Sequence, residues 1–205
     1  MNAELNYQEK LQILYRFIFD DSGFSTEREL NEKLGTQVVS EGWNKALHLF
    51  YAQFAKQKSF MKCLYDIKTP EEPVVDRNFM IIAKERQNVC TYGIEIDTGK
   101  LFYLDNTNGV AEPFNMQVED FILYLIALQC SEFCSCSGRI RNCLDTLKTK
   151  CNHNRMTNHC DDGAVFYFDE GIVLVVVEND ALISAKDDQS MKNFEEKMSF
   201  DVDYF

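Results

Sequence analysis

Proline and glycine are scarce, three and nine among 205 residues, which excludes a disordered chain or a long flexible linker. No apolar run approaches the roughly 20 residues of a membrane-spanning helix. Met1 to Asn6 show no cationic stretch leading into an apolar core, so no secretory signal is expected. Positive charge is short as well: 21 Lys and Arg stand against 33 Asp and Glu, for a formal net charge of −12. Without excess cations to neutralise phosphates, neither nucleic acid nor an anionic membrane is an expected partner. Gly35, Gly42 and Gly163 are isolated, and no Gly-rich run leads into Lys-Ser or Lys-Thr, so phosphate-loop chemistry is not expected.

What is present fits a globular chain. Hydrophobic residues make up 45% and charged residues 26%, and sixteen Phe with nine Tyr can fill a sizeable core. The length suits a single domain spanning 1–205. The negative surface would attract a basic protein partner, although solubility alone also accounts for it. Eight cysteines without a secretory signal are expected to be thiols in a reducing, cytoplasmic setting.

Periodicity predicts helices over residues 7–19, 43–54 and 118–128. In the second, Trp43, Ala46, Leu47, Phe50, Tyr51 and Phe54 form one apolar face, with Asn44, Lys45, His48 and Gln53 left to water. Thr26 and Glu29 suit a capping box for a short helix ended by Gly35. Pro70 and Pro73 mark an extended connector. Residues 78–84 read as a buried strand. Residues 89–96 alternate, with Cys90, Tyr92, Ile94 and Ile96 on one face, and a hairpin returns through 101–104. Residues 164–168 and 172–178 form a second hairpin around Asp169-Glu170-Gly171. A final helix is predicted at 189–198. Residues 129–162 are a polar, cysteine-rich insert with a helix near 140–147.

The order predicts an α+β fold: an antiparallel or mixed β-sheet of about five to six strands, with helices packed on one face. Residues 79–82, 89–96, 101–104, 164–168 and 172–177 are expected to share that sheet; the second hairpin is its weakest member, since the insert separates it from the first, and a separate small lobe is the alternative for it. The helices at 7–19, 43–54 and 118–128 should cover it, with Trp43 buried.

The stretch Phe79 to Ile94 resembles the most characteristic segment of the SUKH superfamily. A strand leads into Glu85, Gln87, Val89 and the aromatic–glycine pair Tyr92-Gly93, where Tyr92 stands in place of a common Trp. The likeness covers about residues 43–128, and the cysteine-rich insert has no counterpart in it. It implies a non-enzymatic protein-binding module without a cofactor. Bacterial members are typically immunity proteins that block toxin domains, often nucleases or deaminases, and others are glucan-synthesis regulators. An intracellular scaffold or regulatory protein of the same fold is the alternative. Glu85, Gln87, Tyr92 and Gly93 are expected to be structural: the polar pair satisfies backbone groups at a turn, and Gly93 marks a bulge or a close backbone approach. Partner-binding residues and oligomeric state stay open.

The rival chemistry lies in Cys130, Cys134, Cys136, Cys143, Cys151, His153, His159 and Cys160. Thiolate and imidazole are good zinc ligands. No pair has Cys-x-x-Cys spacing, however, so a zinc-stabilised domain or metal-dependent enzyme built on residues 129–162 is the less favoured alternative and no metal ligand is assigned. No signature of a cysteine nucleophile surrounds any of them, so no catalytic residue is assigned.

Overall fold

A computed structural model describes residues 5–19, 45–68, 74–157 and 163–205. The chain is α+β, with antiparallel sheets of six and five strands. It divides into two compact units, residues 23–119 and residues 1–22 with 120–205.

In the first unit, α1 (Tyr7–Phe19) being assigned to the other, the first described helix is α2 (Lys45–Phe54), followed by a 3-10 turn (Phe60–Lys62). The strands are β1 (Tyr65–Ile67), β2 (Val74–Asp76), β3 (Phe79–Glu85), β4 (Cys90–Glu95), β5 (Leu101–Asp105) and β6 (Ala111–Pro113). The sheet runs β1-β3-β4-β5-β6, with β2 pairing a second part of β3. Every neighbour is antiparallel. Tight turns make this register local. At β4–β5, Gly99 has φ +68° and donates its amide to the Glu95 carbonyl at 2.8 Å. Only a residue without Cβ adopts that left-handed conformation freely.

Aromatic contacts knit this unit together. Phe50 stacks on Phe54 with ring centroids 5.2 Å apart, and Phe54 meets Phe60 at 5.6 Å. Tyr92 touches Tyr65, Tyr103 and Phe114. Two expectations need correction. Gln53 is buried, because α2 is enclosed almost all round rather than along one stripe. Ile96 is 49% exposed, because it lies past the end of β4 where the chain enters the turn.

The second unit contains α1, α3 (Val118–Phe133), β7 (Cys136–Ile140), α4 (Leu144–Lys150), β8 (Val165–Phe168), β9 (Ile172–Val177), β10 (Asp180–Ala185), α5 (Asp188–Met198) and β11 (Asp203–Tyr204). Its sheet order is β11-β7-β10-β9-β8. On one face Phe166, Phe168, Ile172, Leu174, Ile183 and Ile140 pack beneath Leu147 of α4 and Met191 and Phe194 of α5. On the other face Phe17 of α1 meets the Tyr167 ring edge-on at 6.5 Å. This explains why β9 reads as an unbroken apolar run: both of its faces are covered.

The single sheet expected from the sequence is therefore corrected to two. Residues 164–168 and 172–177 pair with each other and with β10, and β10 in turn pairs with β7. Three or more strands with an apolar face suffice for an independent sheet, and β10 and β7 supply that number. The helices are divided accordingly, 7–19 and nearly all of 118–133 with the five-stranded sheet and 45–54 with the six-stranded one. The helix expected near 140–147 lies at Leu144–Lys150, because residues 136–140 are used by β7. Trp43, Thr26, Glu29, Gly35 and the Pro70–Pro73 connector lie outside the described residues.

Candidate functional site

Glu85, Gln87, Tyr92 and Gly93 meet in the β3–β4 hairpin. The Glu85 carboxylate accepts the Val89 amide at 3.1 Å, and the Glu85 carbonyl accepts the Asn88 amide at 2.9 Å. Asn88 closes the turn at φ +62°, a conformation Asn tolerates. Gln87 is exposed in the turn. Tyr92 is buried among three other aromatic rings. Gly93 stands beside Ile81, next to a register shift between Ile81 and Ala83. A Cβ there would lie 3.2 Å from both the Met80 carbonyl oxygen and the Phe79 Cβ. Glu85, Tyr92 and Gly93 shape the hairpin and its packing, whereas the Gln87 side chain makes no hydrogen bond to the backbone there among the described residues. Nearby, burial pushes the Cys90 thiol up, with the Glu85 charge adding to the effect, while hydrogen bonds with Tyr65 and Tyr103 act against it.

The cysteine-rich segment is dispersed. Cys136, Cys143 and Cys151 are buried in the core beneath α4 and α5. Burial pushes the Cys136 and Cys143 thiols up to about 11, so both are protonated at neutral pH. His153 is exposed although Cys151, two residues earlier, is buried, so the two side chains diverge. Cys130 and Cys134 do meet at the end of α3, where a hydrogen bond from Cys130 lowers the Cys134 thiol. His159 and Cys160 lie outside the described residues. Among the described residues, no group of three or more His, Cys, Asp and Glu side chains is placed to hold a metal ion. No described helix is long and apolar enough to cross a membrane.

The acidic charge is not evenly spread. Residues 161–205 hold twelve of the acidic residues and three of the basic ones. The unit of residues 1–22 and 120–205 has nineteen acidic and ten basic residues, against fourteen and eleven in residues 23–119. Searches against family models, curated proteins and solved structures return no match. The site is therefore built from its own residues.

Part of the acidic set stabilises the fold. Asp187 caps α5 by accepting the Ser190 amide at 2.7 Å, and that bond lowers its carboxyl. Asp180 accepts the Asn142 amide and the Arg139 Nε, each at 2.8 Å, tying β10 to the loop after β7. Asp203 pairs with Arg141 at 2.7 Å. Glu195 accepts the Tyr204 hydroxyl at 2.7 Å, which pushes the phenol up to about 12. An ion pair between Glu170 and Lys197 brings the β8–β9 turn against the last turn of α5. Asp169 precedes Glu170 in the same turn. Asp169, Glu196 and Asp201 are exposed. Carboxylates in the last turn of a helix oppose its dipole, so Glu196 gains nothing from the α5 dipole. The sequence pointed to acidity as a total; the chain position of the charge shows where it concentrates.

Proposed function

We propose that this chain is a non-enzymatic protein-binding module of the SUKH type. It acts as an immunity protein that neutralises a basic toxin domain, of the nuclease or deaminase kind, in the cytoplasm of a bacterium. The observation that carries this reading is the crowding of twelve acidic residues against three basic ones in residues 161–205. Exposed carboxylates such as Asp169, Glu196 and Asp201 stand in for phosphates and cover a cationic cleft, and their field accelerates encounter. The SUKH resemblance rests on about residues 43–128, above all Glu85, Gln87, Val89 and Tyr92-Gly93; the second hairpin, which fits it only loosely, lies in the other sheet.

Co-expression tests the proposal. The chain is produced together with the toxin domain encoded beside its gene, and growth is recorded. Rescue by the wild type and its loss on reversal of Asp169, Glu196 and Asp201 to Lys support the reading. Absence of any neighbouring toxin, together with recovery of a stable endogenous complex, favours the scaffold alternative instead.

A further inference from the structure

Within residues 23–119, positive charge gathers in one place. A groove of about 490 Å³ is lined by Lys62, Asp66, Lys68, Lys84, Glu85 and Arg86. The four cations come from separate elements: the 3-10 turn, the residue after β1, β3, and the turn that follows β3. Four cations thus face two carboxylates, which leaves the lining with a net positive charge. Asp66 pairs with Lys68, and Glu85 accepts the Val89 amide. Among the described residues, the side chains of Lys62, Lys84 and Arg86 have no ion-pair partner. No apolar side chain lines the groove.

We infer that this groove binds a small, multiply charged anion of the oligophosphate class, at a site separate from the acidic surface. Like charges held together repel unless an anion lies between them. Every lining residue is charged or polar and the only apolar surface is that of the side-chain stems, so recognition rests mainly on charge and hydrogen bonding. The volume falls within the range of about 300–1,000 Å³ usual for small-molecule sites. Arg86 supplies a planar fork for two phosphate oxygens, and the lysines supply point charges. Carboxylates farther away than about 8 Å are largely screened at physiological ionic strength, so the net charge of −12 does not cancel the local field.

A free oligophosphate and a nucleoside triphosphate share this chemistry. The full chain is titrated calorimetrically with tripolyphosphate, with ATP and with a penta-glutamate peptide. Saturable one-to-one binding of tripolyphosphate that weakens with salt is expected. The double variant Lys84→Gln/Arg86→Gln should bind at least about tenfold more weakly while keeping its melting midpoint, since both side chains are exposed. ATP binding no tighter than tripolyphosphate assigns the site to the phosphate chain, and tighter ATP binding places a nucleoside in the ligand. Absence of saturable binding to either, or equal binding by the double variant, overturns the proposal. So does a penta-glutamate peptide that outcompetes both.

Discussion

The two units solve the same packing problem with different material. The six-stranded sheet of residues 23–119 is joined by short turns with recognisable residues, such as Gly99 and Asn88, and its charge is close to balanced. The five-stranded sheet draws β7 from the cysteine-rich segment and β11 from the chain end, and its charge is strongly negative. The difference separates fold from function. Four of the eleven basic residues in the first unit line one groove, whereas charge in the second exceeds what its caps and ion pairs use.

The largest effects come from the two cores. Phe194→Ala removes a ring that is 2% exposed and sits 4.9 Å from Phe168, and should cost about 3–5 kcal/mol in urea unfolding. Phe50→Ala, fully buried against Phe54, should cost a similar amount. Amide exchange then locates the damage: β9 and β10 should lose protection first in Phe194→Ala, and α2 first in Phe50→Ala. Uniform loss across both sheets from either variant breaks the comparison.

A smaller effect tests the edge of the five-stranded sheet. A Cβ on Gly138 would lie 2.5 Å from Val202 Cγ1 and 2.8 Å from the Asp203 carbonyl oxygen. Gly138→Ala should therefore dislodge β11 at a cost of about 1–3 kcal/mol. Fast amide exchange at Tyr204 and Phe205 is the expected signature, and unchanged exchange there contradicts the tight fit.

Acidification should act on both units, since Thr107 lowers the Asp105 carboxyl at the end of β5, and its effect on the five-stranded sheet can be traced to single residues. The carboxyls of Asp180, Asp187 and Glu170 are lowered in the folded chain, first by the Asn142 amide, the Ser190 amide and Lys197 respectively. A lowered folded value means that the stabilisation is present above the ordinary carboxylate range, near pH 4, and is lost as pH falls through the folded value. The five-stranded sheet should therefore lose exchange protection on acidification below about pH 4, and the Asp187→Ala variant should lose less. Equal loss in wild type and variant removes the capping account.

The thiols give the finest distinction. Among the described cysteines, Cys63 and Cys134 are half-buried and should react first with iodoacetamide at neutral pH, as read by peptide mass spectrometry. Cys136 and Cys143 should stay protected, because burial keeps them protonated. Early labelling of Cys136 would place β7 outside the core.

Legibility in the sequence followed locality. The bounds of α1 were plain at residues 7–19, where Leu11 and Leu14 repeat at helical spacing and Asp20-Asp21-Ser22-Gly23 follows. The β3–β5 meander was plain too, since alternation and turn residues are local signals. By contrast β10, with the sequence Asp-Ala-Leu-Ile-Ser-Ala, lacks the β-branched density of β9, and nothing local marks its pairing with β7. Without that strand the sequence joins the second hairpin to the first sheet and leaves a separate lobe only as the alternative. The hairpin role of Glu85 could be read from a polar residue at a strand end. The basic groove could not, because Lys62, Lys68, Lys84 and Arg86 meet only through strand pairing.

The most direct test of the central claim is the association rate between this chain and the toxin domain encoded beside its gene, followed by stopped-flow fluorescence over a range of ionic strength. The account predicts fast association that slows steeply as salt rises. The triple variant Asp169→Lys/Glu196→Lys/Asp201→Lys should associate at least about tenfold more slowly while retaining the wild-type melting midpoint. A rate independent of salt and unchanged in that variant would contradict the assignment of the acidic surface as the binding face.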